Sequence, residues 1–557
     1  MDPMAQDSKN RTPSVYLGIT LALFILFAVR IAYIVIVEKD TAKSYDDPAV
    51  AQSVVRGDIT DRNGNVMASQ TSSWNLYFRL NAVDDLDFAA LTVSPYISMT
   101  VDEIVDRAAD YSTYALIRSN IDMTTAEELT KAVQDAGLGG CIDITRVQTR
   151  SYASLFHACQ LIGFMNREGV GAEGLEYRFD DILSPYPGLG EDVTYGADIA
   201  LTLDMDIQYL VDVQVQNIAY ENNPDYIMAL VADARTGEIL AMSSYPWYDL
   251  NYFNLSTPDQ RLNRCAAYNY EPGSVFKIFT LARCMDAGVD VQTPFICDGS
   301  ETFTVNGTSF TIGCHTPHGQ VDARQMVSLS CNGAIANWCL QLSDEDFYDY
   351  LTSLGFGSRP ELPVPGLSAG YISPVSSWSA RSKATMAFGQ EINVNALQIV
   401  QAATAIANDG VMVPISVIST ITDHSGNELY RNTPEEGRRV MSAETARQIR
   451  SYMVTAVEEG TASKARMDNI SLAGKTGTAE IINPETGRYS DGTNLASTIL
   501  LAPADEPQYI IYIAVSAPRG NSVWGADVAA PGCAAIVRGL LSQGKLTSQG
   551  ARVLQVS

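Results

Sequence analysis

The sequence carries little positive charge. It has 37 Lys and Arg against 64 Asp and Glu in 557 residues, which gives a net charge of -27 at pH 7. Proteins that bind nucleic acids use clustered Lys and Arg side chains to contact phosphates. The charge balance therefore argues against a nucleic-acid partner, although it says little about fold or chemistry.

The sequence also lacks a glycine-rich phosphate-binding loop and any internal repeat. The first absence argues against nucleotide binding through such a loop, and the second argues against a repeat architecture. Hydrophobic residues make up 46% of the chain, enough for substantial cores. The length exceeds that of one ordinary domain and predicts roughly two to four.

One segment is not typical of a globular domain. Residues 15–37 are apolar except for Arg30, and a helix of this length spans roughly 35 Å, enough to cross a bilayer. Lys9 and Arg11 precede it, so the positive-inside rule predicts a cytoplasmic N-terminus and an extracytoplasmic chain after the span. A cleaved signal peptide and a buried core helix are the alternatives. No small-residue cleavage pattern follows the apolar run, which disfavours the signal peptide.

An extracytoplasmic location permits disulfides among the nine cysteines, of which at least one must stay free. Cys297 and Cys314 flank a predicted hairpin with an Asn-Gly turn at 306–307. With His315 and His318 they also make a set of metal-binding residue types, although the spacing fits no common zinc pattern. A Cys297–Cys314 disulfide, free thiols and a zinc site are therefore three open alternatives.

The order of predicted elements indicates an α+β fold. Residues 185–196 are rich in Pro and Gly and mark a domain boundary. In the region that follows, strands are predicted at 226–232, 238–243, 473–482, 495–501 and 508–516, and helices dominate 274–287, 321–355 and 396–408. A sheet thus forms from both ends of this domain, with helices between them.

The most informative local pattern is Ser-Val-Phe-Lys at 274–277, which opens an apolar stretch. Residues three apart share a helix face, so the hydroxyl of Ser274 and the amine of Lys277 point the same way. A serine attacks a carbonyl only if a base takes its proton, and a lysine whose pKa is lowered by burial can be that base. The spacing predicts Ser274 as nucleophile and Lys277 as its base.

Two further motifs lie downstream, one in a predicted loop before a helix and one on a predicted strand. They are Ser330-Cys331-Asn332 and Lys475-Thr476-Gly477-Thr478. Ser-x-x-Lys, Ser-x-Asn and Lys-Thr-Gly in this order form the signature of penicillin-recognising serine enzymes. Each motif alone is common and has a structural explanation, but the ordered triple predicts one acyl-transfer site.

The first downstream motif can serve proton transfer and binding. Ser330 can relay a proton to the departing amine. Asn332 can hold the substrate amide and orient Lys277. Lys475, from the second motif, supplies positive charge near Ser330 and near a substrate carboxylate.

The second downstream motif can bind the substrate. Thr476 and Thr478 can hydrogen-bond a carboxylate, and Gly477 lets a ligand lie close along the strand. The backbone N–H groups of Ser274 and Thr478 are the predicted oxyanion donors.

Nearly the whole chain resembles the class B penicillin-binding proteins, the monofunctional transpeptidases of bacterial cell-wall synthesis. Besides the three motifs, the segments that carry the resemblance are Arg56-Gly57-Asp58-Ile59 with Asp61-Arg62-Asn63-Gly64, Gly174-Leu175-Glu176, Leu201-Thr202-Leu203-Asp204 with Gln208, and those at 236–242, 388–390, 405–410 and 501–505. The family usually has Thr where this chain has Asn395, a departure that leaves the predicted site unchanged.

The resemblance implies a single N-terminal transmembrane helix, an elongated pedestal domain and a transpeptidase domain. The transpeptidase domain would have an antiparallel sheet with helices on both sides and an all-helical subdomain. The implied parts are a cytoplasmic tail at 1–14, the transmembrane helix at 15–37, the pedestal (dimerisation-type) domain at 38–195, the transpeptidase domain at 196–545 and a C-terminal tail at 546–557.

The resemblance also implies the reaction. Ser274 would be acylated by a peptidoglycan stem peptide ending in D-Ala-D-Ala, and an amine of a neighbouring stem would then take the acyl group. β-lactams would acylate the same serine, and no metal or organic cofactor is implied. Residues 39–195 are too few for a glycosyltransferase domain, so only transpeptidation is expected. The family resemblance then implies a membrane-embedded glycan polymerase as partner.

Two other functions are alternatives. A D,D-carboxypeptidase or a β-lactamase would use the same site with water as acceptor, but the anchor and long pedestal disfavour a β-lactamase. A β-lactam sensor or scaffold would bind without turnover. Such a sensor usually needs several spans and a cytoplasmic effector, whereas this sequence predicts one span with a short segment before it.

Overall fold

A computed structural model describes residues 53–166, 168–186, 193–433, 436–482 and 489–547. The chain divides into two units, one of residues 1–53 and 187–194 and the other of residues 54–186 and 195–557. Apart from residues 53, 193 and 194 at the ends of two short strands, the residues described below lie in the second unit. Within the described ranges, no helix is long and apolar enough to cross a membrane. The predicted span at 15–37 lies outside those ranges.

The N-terminal part of the described chain alternates strands with short helices. Its strands are β1 (Ser53–Val55), β2 (Ile59–Thr60), β3 (Val66–Arg79), β4 (Tyr114–Ile121), β5 (Ile142–Ser151), β6 (Val193–Tyr195) and β7 (Asp198–Leu201). Its helices are α1 (Leu86–Ile97), α2 (Val101–Ala109), α3 (Met123–Asp135), α4 (Cys159–Ile162), α5 (Gly174–Arg178) and α6 (Asp180–Leu183).

The long strand β3 organises this part of the fold. It pairs antiparallel with β4 and β5, and its residues Leu76 and Phe78 are buried in a separate core with Ile117 and Leu129. Residues two apart on a strand share a face, so β3 turns one side toward this core. Helices α1, α2 and α3, together with β4 and β5, supply further residues of this core.

The C-terminal part carries the remaining elements. Its strands are β8 (Tyr226–Asp233), β9 (Ile239–Tyr245), β10 (Phe295–Cys297), β11 (Ser300–Val305), β12 (Thr308–Gly313), β13 (Gly319–Val321), β14 (Tyr371–Ile372), β15 (Ile392–Asn393), β16 (Val411–Met412), β17 (Ile418–Thr422), β18 (Glu428–Arg431), β19 (Arg438–Arg439), β20 (Ala473–Ile482), β21 (Tyr489–Ala502) and β22 (Tyr509–Ser516).

The helices of this part begin with α7 (Met205–Asn222), α8 (Pro258–Arg261), α9 (Arg264–Ala267), α10 (Lys277–Asp286), α11 (Ala323–Leu329) and α12 (Asn332–Cys339). They continue with α13 (Asp344–Ser353), α14 (Ser382–Met386), α15 (Ala396–Ala407), α16 (Ala443–Glu458), α17 (Gly525–Val528) and α18 (Ala530–Ser542). Asp204 begins α7 by accepting hydrogen bonds from the backbone N–H groups of Asp206 and Ile207, because an N-cap carboxylate satisfies free donors of the first turn.

The central sheet has the strand order β20-β21-β22-β8-β9 and is antiparallel throughout. Strands from the start and the end of the domain therefore pair, which confirms the predicted α+β arrangement. The sheet is covered on both faces. Ile513 faces α18, since a Cβ on Gly532 of α18 would lie 3.3 Å from Ile513 Cδ1. The adjacent Tyr512 points the opposite way and hydrogen-bonds Tyr270 (2.8 Å between hydroxyl oxygens).

A second sheet, in the order β18-β17-β7-β2-β3-β4 with β5 also paired to β3, joins the two parts. It combines strands from before and after the predicted boundary at 195/196, since β7 pairs with β2 on one side and β17 on the other. The pedestal and transpeptidase parts thus share backbone hydrogen bonds. The domain limits themselves stay predictions.

Candidate active site

The turn that carries Ser274 lies directly against strand β20. Ser274 belongs to a 3₁₀ turn, Gly273–Phe276, that runs into α10, and its side chain is half-buried. A Cβ on Gly273 would lie 2.9 Å from Ala479 Cβ and 3.3 Å from the Thr478 carbonyl oxygen. Gly273 also has a positive φ of 58°, a conformation that favours glycine. The glycine therefore allows the serine turn to approach the strand closely.

Lys277 is fully buried at the first turn of α10. Its Nζ donates hydrogen bonds to the Ser330 carbonyl oxygen (2.6 Å) and to Ser330 Oγ (3.1 Å). Burial disfavours the charged ammonium and lowers the pKa of Lys277 to about 8. At pH 7 about one molecule in ten then carries the neutral amine that a general base requires.

Lys475 approaches the same hydroxyl from β20. Its Nζ donates to Ser330 Oγ (3.0 Å) and to the Thr476 carbonyl oxygen (2.8 Å), and its side chain is fully buried. Burial, with a smaller contribution from the nearby charge of Lys277, holds the pKa of Lys475 well below its usual value. The Ser330 hydroxyl thus lies between two buried amines.

Ser330 occupies this position because of its backbone conformation. It ends α11 with a φ of 62° and a ψ of 41°, in the left-handed region. Cys331 then begins α12, so the motif is a short connection between two helices, in agreement with the predicted loop. Left-handed conformations are uncommon for residues other than glycine and cluster at functional sites.

Asn332 lies at the start of α12 and is half-buried. Its Nδ2 donates a hydrogen bond to the Gly313 carbonyl oxygen (2.9 Å). Within the described residues it makes no hydrogen bond to Lys277, whose amine is oriented by Ser330 instead. Within the described residues no hydrogen bond supports the predicted orientation of Lys277 by Asn332, and the contact of Asn332 with a substrate amide stays a prediction.

The other predicted binding residues lie along β20, an edge strand of the central sheet. Thr478 is half-buried, and its hydroxyl oxygen accepts a hydrogen bond from the Gly525 N–H (3.2 Å). Thr476 is buried and donates to the Thr461 hydroxyl (3.0 Å). An edge strand leaves alternate N–H and C=O groups free for another chain. The predicted oxyanion and carboxylate contacts of this strand stay predictions.

Gly477 has a structural reason in addition to the predicted one. A Cβ at this position would lie 2.5 Å from Ser497 Oγ and 3.0 Å from Val275 Cγ1. Both distances are shorter than a Cβ tolerates without a shift of its neighbours. Close packing of β20 against the serine turn and β21, and not only the approach of a ligand, accounts for glycine here.

Two protein-family models match this chain. The family model described as the penicillin binding protein transpeptidase domain matches residues 227–538, and the one described as the penicillin-binding protein dimerisation domain matches residues 51–194. The first match alone covers more than half of the chain. The chain belongs to the class B penicillin-binding proteins.

Relatives of this penicillin-binding protein match over most of their lengths. A probable peptidoglycan D,D-transpeptidase PenA of Neisseria gonorrhoeae is 28% identical over 558 residues, covering 94% of this chain and 92% of the relative. Stage V sporulation protein D of Bacillus subtilis is 26% identical over 552 residues, covering 94% and 84%. The resemblance therefore includes both the pedestal and the transpeptidase parts.

Solved structures show the same architecture. Penicillin binding protein 3 of Mycobacterium tuberculosis, complexed with ampicillin, superposes with a TM-score of 0.72 at 25% identity, covering 90% of this chain and 98% of that one. The same protein complexed with aztreonam superposes with a TM-score of 0.71 over 89% of this chain and 98% of that one, also at 25% identity.

One buried carboxyl group near the site of this penicillin-binding protein has no predicted role. Glu271, three residues before Ser274, accepts hydrogen bonds from the Glu391 N–H (2.8 Å) and the Tyr489 hydroxyl (3.1 Å). Burial raises the pKa of Glu271 to about 7. The sequence gives no signal of this burial, because the partners lie more than a hundred residues away.

For the cysteines near the site, the sequence allows a disulfide, free thiols or a zinc site. All nine have free thiols, so the disulfide between Cys297 and Cys314 is not formed. Cys314 Sγ lies 3.7 Å from Cys331 Sγ, and Cys297 Sγ lies 3.5 Å from His318 Nδ1. A hydrogen bond from the Cys331 thiol, together with backbone N–H donors, lowers the pKa of the Cys314 thiol. The sequence signal missed here is Cys331, which sits inside a catalytic motif.

Proposed function

We propose that this chain is a serine-type D,D-transpeptidase that cross-links peptidoglycan stem peptides through an acyl-enzyme on Ser274. The observation that carries the proposal is the convergence of Lys277 and Lys475 on the Ser330 hydroxyl, in a site whose serine turn packs against β20. The relatives named peptidoglycan D,D-transpeptidases support the reaction class.

In the first step Ser274 Oγ attacks the carbonyl carbon of the penultimate D-Ala, and its proton passes to neutral Lys277 Nζ. The backbone N–H groups of Ser274 and Thr478 stabilise the oxyanion that forms. The C–N bond then breaks as Ser330 gives a proton to the departing D-Ala amine. Lys277 then gives the proton it took from Ser274 to Ser330. At the acyl-enzyme stage the Lys277 amine is neutral again and the Ser330 hydroxyl is restored.

In the second step an amine of a neighbouring stem peptide attacks the ester carbon. The proton of this amine passes through Ser330 and Lys277. The C–O bond to Ser274 breaks, and Lys277 returns the proton to Ser274 Oγ to restore its hydroxyl. Lys475 and the hydroxyl of Thr478 hold the substrate carboxylate, and Asn332 holds its amide. Thr476 contributes through the strand, because its hydroxyl is already bonded to Thr461.

β-lactams fit the same site as substrate-like acylating agents. The structural neighbour with ampicillin and the one with aztreonam are complexes of a protein with this fold. We propose that the β-lactam carbonyl acylates Ser274 and that the opened ring keeps the leaving amine in place. The adduct then persists, because no departing group makes room for an acceptor.

The location and partner of this enzyme are also proposals. The apolar segment at 15–37 would anchor the chain in the bacterial membrane with the catalytic part outside. A membrane-embedded glycan polymerase would supply the strands that the enzyme cross-links. The acidic balance of the chain supports the absence of a nucleic-acid partner.

Incubation of the full chain with labelled penicillin tests the assignment. We expect a long-lived adduct on the peptide that contains Ser274 and no adduct in Ser274→Ala. Labelling should be normal in Ser353→Ala, a serine on α13 whose hydroxyl donates to the Tyr350 carbonyl. A transpeptidation assay with a D-Ala-D-Ala pentapeptide and an added amine should give the amide product. Rapid loss of the label, or hydrolysis without amide formation, would overturn the proposal in favour of water as acceptor.

A further inference from the structure

Four potential metal ligands converge beside the candidate active site. Cys297, Cys314, His318 and Cys331 have ligand atoms that all lie within 4.8 Å of one another. They come from four places in the fold: the end of β10, the residue after β12, the residue before β13 and the start of α12. Cys314 and His318 lie four residues apart, whereas Cys297 and Cys331 come from β10 and the start of α12, so the full convergence is a property of the tertiary structure.

Two distances within this cluster fit the edges of a tetrahedral zinc site. Zinc lies about 2.3 Å from thiolate sulfur and about 2.0–2.1 Å from imidazole nitrogen, so tetrahedral edges are about 3.8 Å for S–S and about 3.6 Å for S–N. The structure has 3.7 Å between the sulfurs of Cys314 and Cys331. It has 3.5 Å between Cys297 Sγ and His318 Nδ1. Both observed edges match the expected values.

Backbone N–H groups point at two of the sulfur ligands. Cys314 Sγ accepts hydrogen bonds from the backbone N–H groups of Asn332 (3.2 Å) and Gly333 (3.4 Å), and Cys331 Sγ accepts one from Ala334 (3.5 Å). These donors belong to the first turn of α12, where N–H groups have no partner within the helix. Such N–H···S bonds orient metal ligands and stabilise their negative charge.

We propose that Cys297, Cys314, His318 and Cys331 bind one Zn²⁺ ion in a closed, structural Cys₃His site. Three sulfur ligands and one imidazole favour zinc over the hard cations magnesium and calcium. Four protein ligands fill all positions of a tetrahedral ion, so no position is left for a water nucleophile. The metal would therefore take no part in the acyl transfer, and the inference does not depend on the proposed reaction.

The site would fix the catalytic motif at 330–332. Cys331 lies between Ser330 and Asn332, and a bond from its sulfur to zinc would tie this connection to strands β10 and β12 and to His318. Ser330 holds a left-handed conformation that needs such support. The four cysteine and histidine residues are thus positioning residues for Ser330, which contacts both active-site lysines.

A disulfide between Cys314 and Cys331 is the main competing state of these thiols. It would require the two sulfurs to approach from 3.7 Å to about 2.05 Å. It would use only two of the four converging donors and leave the sulfur of Cys297 and the ring of His318 outside the new bond. The four-donor geometry therefore favours the metal over the disulfide.

Metal analysis of the full chain, purified in detergent without chelators, tests the site. We expect about one zinc per chain by elemental analysis, and visible bands of tetrahedral thiolate-bound cobalt after replacement of zinc by Co²⁺. Cys297→Ser and His318→Ala should lose the metal. His315→Ala is the matched control, because its ring packs on Trp524 outside the cluster, and it should keep the metal.

A positioning role is tested on the same samples. Removal of zinc by a chelator should lower the penicillin acylation rate and the unfolding temperature together, and readdition should restore both. The inference is overturned if wild-type protein holds no zinc and all nine cysteines titrate as free thiols, or if two fewer titrate because a disulfide has formed. Equal metal loss in His315→Ala and His318→Ala would also overturn it, since the zinc would then not depend on the proposed ligand.

Discussion

Two buried clusters of charged side chains in this protein differ in how their charges are balanced. In the pedestal part, Arg56 and Arg150 both donate to the buried carboxylate of Glu176, each at 2.7 Å. Arg56 also contacts Asp180 at 2.6 Å. Two positive and two negative groups therefore meet, and the Glu176 carboxylate is satisfied on both oxygens.

The candidate active site has the opposite balance. Lys277 and Lys475 are both fully buried and both donate to the neutral hydroxyl of Ser330. Within the described residues, neither amine has a carboxylate within ion-pair distance. Burial without a counter-ion lowers the pKa of both lysines.

Paired buried charges stabilise the fold, whereas unpaired buried amines can take part in proton transfer. A paired cluster keeps its charges fixed, and removal of one partner leaves another charge buried alone. An unpaired buried amine instead favours its neutral form, which is the form that accepts a proton. We therefore expect substitutions in the first cluster to affect stability, and substitutions in the second to affect reaction rate.

Replacement of Lys277 by Met should have the largest effect. The acylation rate with labelled penicillin should fall by about 10³-fold or more, because the base for Ser274 is lost. The unfolding midpoint should stay equal or rise, since an apolar side chain replaces a buried amine without a counter-ion. Lys131→Met, an exposed lysine on α3, is the control. Acylation within about tenfold of wild type would contradict the assignment of Lys277 as base.

Replacement of Arg56 by Met should reverse this pattern. The free energy of unfolding should fall by about 3–5 kcal/mol, because Glu176 and Asp180 lose a buried partner. Acylation per folded molecule should stay close to that of wild type, since Arg56 lies outside the active site. Chemical denaturation of the full chain followed by tryptophan fluorescence gives the first quantity. If the midpoint does not move while acylation drops, the two clusters do not divide their roles as described.

The pH dependence of acylation should show the lowered pKa of Lys277. Below about 8 the amine is protonated and cannot accept the serine proton, so the rate should fall by about tenfold per pH unit and reach about 1% of its plateau near pH 6. Above the pKa the rate should level off. Rates from quenched labelling over this range give the profile. A flat profile across this range would mean that Lys277 is not the group whose neutral form limits the rate.

The elements of the active site could be predicted because their sequence patterns are local. Strand 473–482 and the helix after Ser274 follow from apolar patterning, and the structure has both. The loop before α12 was also predicted. These features depend on neighbouring residues, whose periodicity and capping determine local structure.

The remaining features could not be predicted because they depend on tertiary contacts. The left-handed conformation of Ser330 orients its carbonyl toward Lys277, and no local pattern indicates it. The approach of Cys331 to Cys314 depends on how α12 packs against the hairpin of β11 and β12. In the same way, the motif at 56–64 contains two arginines, and only the structure shows that Arg56 is buried whereas Arg62 is about a third exposed.

The smallest effect is expected for Arg62→Met. This variant tests whether burial of the ion pair determines how much stability is lost when an arginine of the motif at 56–64 is replaced. Arg62 contacts Glu238 at 3.2 Å, but its side chain is 35% exposed. Water screens such pairs, so the free energy of unfolding should fall by less than about 1 kcal/mol, and the loss should shrink further at high salt. The same denaturation experiment, run beside Arg56→Met, gives the comparison. Equal losses for the two arginines would mean that membership of the motif, and not the burial of the pair, determines the cost.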